Sequence, residues 1–283
     1  YYLIDGVDGQ RASIFEYSTA DANVTNIVGQ APPPLRSADG TYQIIRDDTG
    51  AAFRRLTDNV EWRVETGGAV PSLSSNNSRL LWTRQSEITL PGQNAPNSVI
   101  WISDPYGEGA REVASNPGAS AQWLDADRLL ISTREGLETT FTVYDAAAER
   151  SFVLGTWQGV RGLTIAPGGS RLMFYLTYGD DSARNGIYIV DTIEGAEAQH
   201  MSWFGAWRWR DADRVYYIPF EPDVRQQTLF HYDISTGESR QLTDPAQQPV
   251  LIANGDWSVS ADGRTVAFWN AYDFNVWLAV VGD

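Results

Sequence analysis

Few side chains in this sequence could do covalent or metal chemistry. It holds two histidines, His200 and His231, and no cysteine. Thiolate nucleophiles, thiolate metal sites and disulfides are excluded together. A Ser-His-Asp relay would need one of the histidines beside an exposed serine, and no Gly-x-Ser-x-Gly elbow occurs. Both histidines are read as packing or surface residues. Three carboxylate pairs stand out: Asp125/Asp127, Asp211/Asp213 and Asp180-Asp181. The first two have the spacing of cation ligands, but each sits in a short polar turn between apolar runs. An aspartate there bonds backbone groups two residues on, so these are read as turn chemistry. Asp180-Asp181 could hold a cation together with backbone oxygens, and is read as a solvated loop. The expectation is no catalytic residue, no metal and no cofactor.

The densest cluster of another kind is Trp203-Phe204-Gly205-Ala206-Trp207-Arg208-Trp209. Tryptophan and arginine together are the residues of binding hot spots and of stacking platforms. Trp209 is assigned to the core, because Trp123 takes its place in a second copy of the same local pattern. Trp203 and Trp207 are kept as binding candidates. Formal net charge is −15 over 283 residues, which makes nucleic acid and anionic membrane surfaces poor partners. All 21 basic residues are arginine. No apolar run is long enough for a membrane-spanning helix, so no membrane insertion is expected. The chain begins with Tyr1, and a leader or anchor is not visible in it.

These residues must be held by something, and the sequence says what. Asp256 to Trp269 reads strand, tight turn, strand, with Ser260-Ala261-Asp262-Gly263 as the turn. Val266-Ala267-Phe268-Trp269 is apolar at successive positions, as in a strand buried on both faces. Imperfect copies follow Leu35, Leu73, Trp123, Ile165 and Trp209. The residues just before the apolar runs are Tyr42, Arg79, Arg128, Arg171, Arg214 and Thr265, at spacings of 37, 49, 43, 43 and 51. A second element follows each hairpin, an aromatic or β-branched run ending in Asp, as in Phe141-Thr142-Val143-Tyr144-Asp145 and Phe230-His231-Tyr232-Asp233. A period in the forties with this content predicts the four-stranded blades of a β-propeller. The expected fold is all-β, a six-bladed propeller closed by an N-terminal strand beside Val276–Val281, with seven blades as the alternative. One domain is expected over 1–283, with 1–30 as the closing region and 31–283 as the repeats.

Ser-x-Asp-Gly-x-x-apolar combined with apolar-Tyr-x-x-Asp, Gly and Leu-Thr resembles the repeat of TolB-like proteins and of dipeptidyl-peptidase-type propeller domains, over about residues 31–283. That resemblance implies a non-catalytic interaction module or scaffold of a cell envelope or extracellular assembly, periplasmic or extracellular, with protein partners. A carbohydrate-binding propeller with a Trp-rich face, and a propeller enzyme of the lactonase or lyase type, are the alternatives. The short, similar first-to-second-strand turns leave loop variety on the opposite face, where binding residues gather. The expected binding face comprises Trp157, Arg161, Asp180, Asp181, Arg184, Trp203, Trp207, Asp223 and Arg225.

Overall fold

The computed structural model describes residues 2–8, 11–18, 23–26, 35–37, 39–86, 96–177, 182–222, 224, 226–248 and 250–281. Apart from a single 3₁₀ turn, Ser182–Arg184, every regular element among them is a strand. All sheets are antiparallel meanders with strands in sequence order. The chain divides into two compact units, residues 1–68 and 69–283.

The first unit holds two sheets. Tyr2–Asp8, Arg11–Ser18 and Asn23–Asn26 form a three-stranded sheet of their own. Leu35–Arg36, Tyr42–Arg46, Ala51–Arg55 and Glu61–Val64 form the first four-stranded blade. The pairing expected between residues 1–20 and Val276–Val281 is not among the described strand pairs. Residues 2–18 pair with one another instead, and Asn275–Val280 pairs with Thr265–Asn270. A separate sheet over residues 2–26 is what the seven-blade alternative anticipated.

The second unit holds five blades, numbered here two to six, over residues 72–117, 120–158, 160–200, 205–241 and 252–280. Blades two to five have four strands, and the sixth has three. All six hairpins found in the sequence are first-to-second-strand hairpins of successive blades.

There is no single central core in this unit. Four apolar clusters lie one at each junction between neighbouring blades. Side chains alternate across a strand, so a strand inside a blade must be apolar at successive positions to serve both neighbours. Leu172 and Phe174 pack toward the third blade while Met173 packs toward the fifth. Val215 and Tyr217 face the fourth blade, Tyr216 and Ile218 the sixth. This is why the runs in the sequence show no period-two alternation.

The turns behave as their residues require. Gly40 and Gly263 have φ of +73° and +70°. The Ser37 hydroxyl donates to Asp39 at 2.6 Å and accepts from Tyr42 N–H at 2.9 Å. Asp262 Oδ1 accepts from the Arg264 N–H, and Asp125 Oδ1 from the N–H groups of Asp127 and Arg128. The two Asp-x-Asp pairs are therefore turn groups, as read from the sequence. Among the described residues no cluster of three or more His, Asp or Glu could hold a metal ion.

The arginines ahead of the apolar runs join the blades. Arg79 pairs with Asp127 of the third blade at 3.0 Å. Arg128 donates to the carbonyls of Thr192 and Gly169 in the fourth blade at 2.9 and 3.3 Å, and to its own turn at Asp125. Arg171 reaches the Ala212 carbonyl and Asp213 of the fifth blade. At the last junction the Tyr216 hydroxyl takes over, donating to the Gly263 carbonyl at 2.7 Å. One planar fork can serve several acceptors at once, which an ammonium cannot.

Candidate functional site

On the end of the fourth and fifth blades opposite the hairpin turns, an aromatic ladder climbs from core to solvent. At its base lies Trp207, 3% exposed. Its indole N–H donates to Thr164 Oγ1 at 2.9 Å, and Trp209 donates to the same oxygen at 3.0 Å. The Tyr175 ring meets Trp207 edge-on at 4.5 Å. Phe204 lies 5.4 Å from Tyr175, and Phe220 stands perpendicular to Phe204 at 6.3 Å. Phe204 and Phe220 are 48% and 68% exposed, so this aromatic surface is open to solvent.

Local sequence makes the ladder possible. Gly162, at φ +61°, would put a Cβ 2.9 Å from the Tyr175 ring, so only glycine leaves that ring its place. Tyr175 is tied at its hydroxyl, which donates to the Gly205 carbonyl. The Phe220 N–H donates to the Phe204 carbonyl at 2.9 Å, pinning the two outermost rings to each other's loops. Burial raises the Tyr175 pKa, which keeps the phenol a donor. Arg208 lies beside it, stacked 5.1 Å over Trp257 and donating to the carbonyls of Trp207, Gly255 and Trp257. Burial lowers its pKa.

The expected binding face is only partly brought together. Arg161 is exposed and lies directly across the strand pair from Tyr175. Arg184 is exposed on the 3₁₀ turn, where its carbonyl accepts from the Tyr188 hydroxyl. Asp180, Asp181, Asp223 and Arg225 lie outside the described residues. The three tryptophans require correction. Trp207 is core. Trp203 stacks on Tyr217 at 4.3 Å, and its indole nitrogen is buried. Trp157 packs between Phe141 and Phe174 at the junction of the third and fourth blades. A large flat ring next to a loop suggests a surface platform, but each of these rings fills a gap between blades. The exposed aromatics beside them are Phe204 and Phe220. Their only signal was position: Phe204 precedes the close-packed Gly205, and Phe220 directly follows Pro219 at a strand end.

His200 is exposed and tilted against Tyr188 at 4.9 Å, while His231 is partly buried and its Nε2 has no hydrogen-bond partner. Neither has a serine and an aspartate arranged about it in the described contacts.

No protein-family model matches this chain, and no curated protein matches it by sequence. Solved structures do. An oligogalacturonate lyase in complex with manganese superposes at TM-score 0.62 with 12% identity, covering 96% of this chain and 83% of the lyase. Dipeptidyl peptidase 4 of Porphyromonas gingivalis gives 0.59 with 13% identity, over 97% of this chain and 49% of that one. The β-propeller domain of the Trilobed protease from Pyrococcus furiosus gives 0.58 with 15% identity, over 98% and 90%. The fold is thus a β-propeller of the kind carried by dipeptidyl peptidases, as the repeat indicated. The non-catalytic interaction module expected from the sequence does not stand. Across nearly its whole length the chain shares its fold with a lyase, and the tryptophans invoked for binding are packed between blades.

Proposed function

We propose that this chain is the substrate-binding propeller of a peptide-degrading enzyme, seating an apolar or aromatic peptide side chain against Phe204 and Phe220. The observation that carries this reading is the open edge-to-face pair at the top of a ladder rooted in the core. Rings held by neighbours lose little freedom when a ligand packs on them, and aromatic pairs add about 0.5–1.5 kcal/mol beyond area burial. Phenylalanine offers no polar handle, so the surface suits a hydrocarbon side chain better than a sugar hydroxyl array. The net charge of −15 favours neutral or basic peptides. The likeness to the propellers of dipeptidyl peptidase 4 and the Trilobed protease agrees with a peptide substrate. A cell-envelope or extracellular location goes with this reading and rests on the TolB-like repeat; fractionation of the host checks it.

Isothermal titration with a blocked phenylalanyl dipeptide amide, and with its glycyl counterpart, tests the site. Binding of the first and not the second is expected, weakened about tenfold or more in Phe220→Ala with an unchanged melting temperature. Equal binding of both peptides would sink the proposal. So would manganese-dependent cleavage of polygalacturonate by the purified chain, which would put a lyase in its place.

A further inference from the structure

One hairpin turn carries a side chain that its counterparts do not. The equivalent residues of the six turns are Ser37, Ser74, Leu124, Ala166, Arg210 and Ser260. Each donates its N–H to the carbonyl of the residue just ahead of the apolar run. Ser37, Ser74, Leu124 and Ala166 are buried. The turn glycine of the next blade packs on this position, as Gly169 does on Leu124 and Gly263 on Arg210. A small or apolar residue suits such a place. The fifth blade has an arginine there, and it is only 9% exposed.

Burying a cation is costly unless an anion or several acceptors meet it. The Arg210 guanidinium lies 5.8 Å over the Tyr216 ring and bonds no carboxylate or carbonyl among the described residues. The carboxylates around it are engaged elsewhere. Asp211 binds Arg214 at 2.7 Å and the Asp213 N–H at 3.0 Å, and Asp213 binds Arg171 of the fourth blade. Asp233 closes its own turn on Ser235 and Thr236. A second unpartnered group lies beside the same tyrosine. The His231 ring is 5.9 Å from the Tyr216 ring, directly across the strand pair, and its Nε2 is buried with no partner. Burial comes first among the causes that lower the His231 pKa; the charges of Arg210, Arg214 and Arg240 follow, with Asp233 opposing. All four of these charged groups belong to the fifth blade. At the earlier junctions Arg79, Arg128 and Arg171 reach acceptors in the next blade, whereas Arg214 turns back to Asp211. Positive charge therefore gathers around Tyr216 in a chain whose net charge is −15.

We propose that Arg210 and His231 bind one small oxyanion, a sulfate or phosphate group, at the junction of the fifth and sixth blades. The planar fork of Arg210 offers two parallel N–H donors to two oxygens, and His231 donates from Nε2 to a third. An oxyanion matches that fork where a single-atom anion such as chloride does not. With Arg210 so little exposed, the group that reaches it is small. A polyanion is disfavoured further by the acidity of the whole chain. The bound ion supplies this rim with the charged tie that arginine provides at the earlier junctions. The site lies at the hairpin end of the blade, away from the Phe204–Phe220 surface, and its fate does not decide the proposal made for that surface.

The test is proton NMR of the full chain, in which His200 and His231 give the only imidazole signals. His200→Gln assigns them. Sodium sulfate is titrated against sodium chloride at equal ionic strength, between about pH 5 and 8, where sulfate keeps its charge. Saturable movement of the His231 signal with sulfate and not with chloride is expected, and the His200 signal stays in place. The His231 pKa should rise on binding, because a neighbouring anion favours the protonated ring. Arg210→Gln should weaken sulfate binding about tenfold or more. Arg134→Gln, at an exposed arginine of the third blade, should leave it unchanged. Phenyl phosphate separates the sources of the oxyanion. Binding as tight as that of sulfate means the group can be carried on a larger molecule, and binding of sulfate alone means a free ion; both support the site. A His231 signal that ignores sulfate overturns the proposal. An equal response to chloride reduces the effect to screening and overturns it as well, as does an equal loss of sulfate binding in Arg134→Gln and Arg210→Gln. Where Arg210→Gln does not fold, the His231 titration of the unaltered chain decides alone.

Discussion

Trp207 and Phe204 stand three positions apart, and their fates are opposite. Trp207 is buried on Thr164 and Tyr175, while Phe204 is open. Trp207→Ala should therefore cost about 3–5 kcal/mol in denaturant unfolding. Phe220→Ala, at an exposed position, should stay within about 0.5 kcal/mol. Residue chemistry was legible where a side chain acts on its own backbone: the Asp-x-Asp pairs were read as turns and are turns. Exposure was not legible. Strands between blades are buried on both faces, so an aromatic beside a loop carries no mark of whether it points out or across. His231 gives a pH test. Burial, then Arg210, Arg214 and Arg240, lower its pKa below the ordinary 6.5, with Asp233 opposing. The folded state resists a proton that the unfolded state accepts, so the stability gained is complete above pH 6.5 and declines as pH falls below it. Replacing it in His231→Gln should remove that slope. Chemical denaturation of both proteins between about pH 5 and 8 measures the difference, and parallel curves would refute it.

At the scale of elements, the hairpin turns can be compared with one another. Gly40 and Gly263 share a left-handed backbone, but a Cβ at Gly40 meets nothing within 4 Å, whereas at Gly263 it would lie 2.5 Å from the Arg210 carbonyl. Gly40→Ala should cost about 1 kcal/mol, from backbone strain alone. Gly263→Ala should cost clearly more; equal losses in urea titrations would mean that the junction yields freely. The turns were legible because Ser-x-Asp-Gly carries its own mechanism. The arginine ties were not, because each partner lies more than 40 residues away and belongs to a different blade. Arg128→Lys keeps the charge but cannot serve Thr192, Gly169 and Asp125 together, and a loss of about 1–2 kcal/mol is expected.

For the whole molecule, the period of the hairpins was enough to give an all-β propeller, since each copy places the same strands at the same offsets. What the period could not give was the ends, because residues 1–30 lack the hairpin signature and the last copy stops at a third strand. We propose that residues 1–283 nonetheless behave as one domain. Differential scanning calorimetry should then show one transition with equal calorimetric and van't Hoff enthalpies. Two resolved transitions would assign residues 1–68 and 69–283 to separate folding units.

The arginine ties have a direction. Arg79, Arg128 and Arg171 each precede in sequence the turn they grip in the next blade. On a growing polypeptide the gripping group is already in place when its target leaves the ribosome. Each finished blade then offers the next one a prepared apolar wall and a waiting donor at its rim. Assembly can advance from the N-terminal side one blade at a time, as a ratchet, with only nearest neighbours consulted. A stalled chain would always be left with its newest blade unlatched, and a repeat duplicated in the middle of the array would arrive with its own latch.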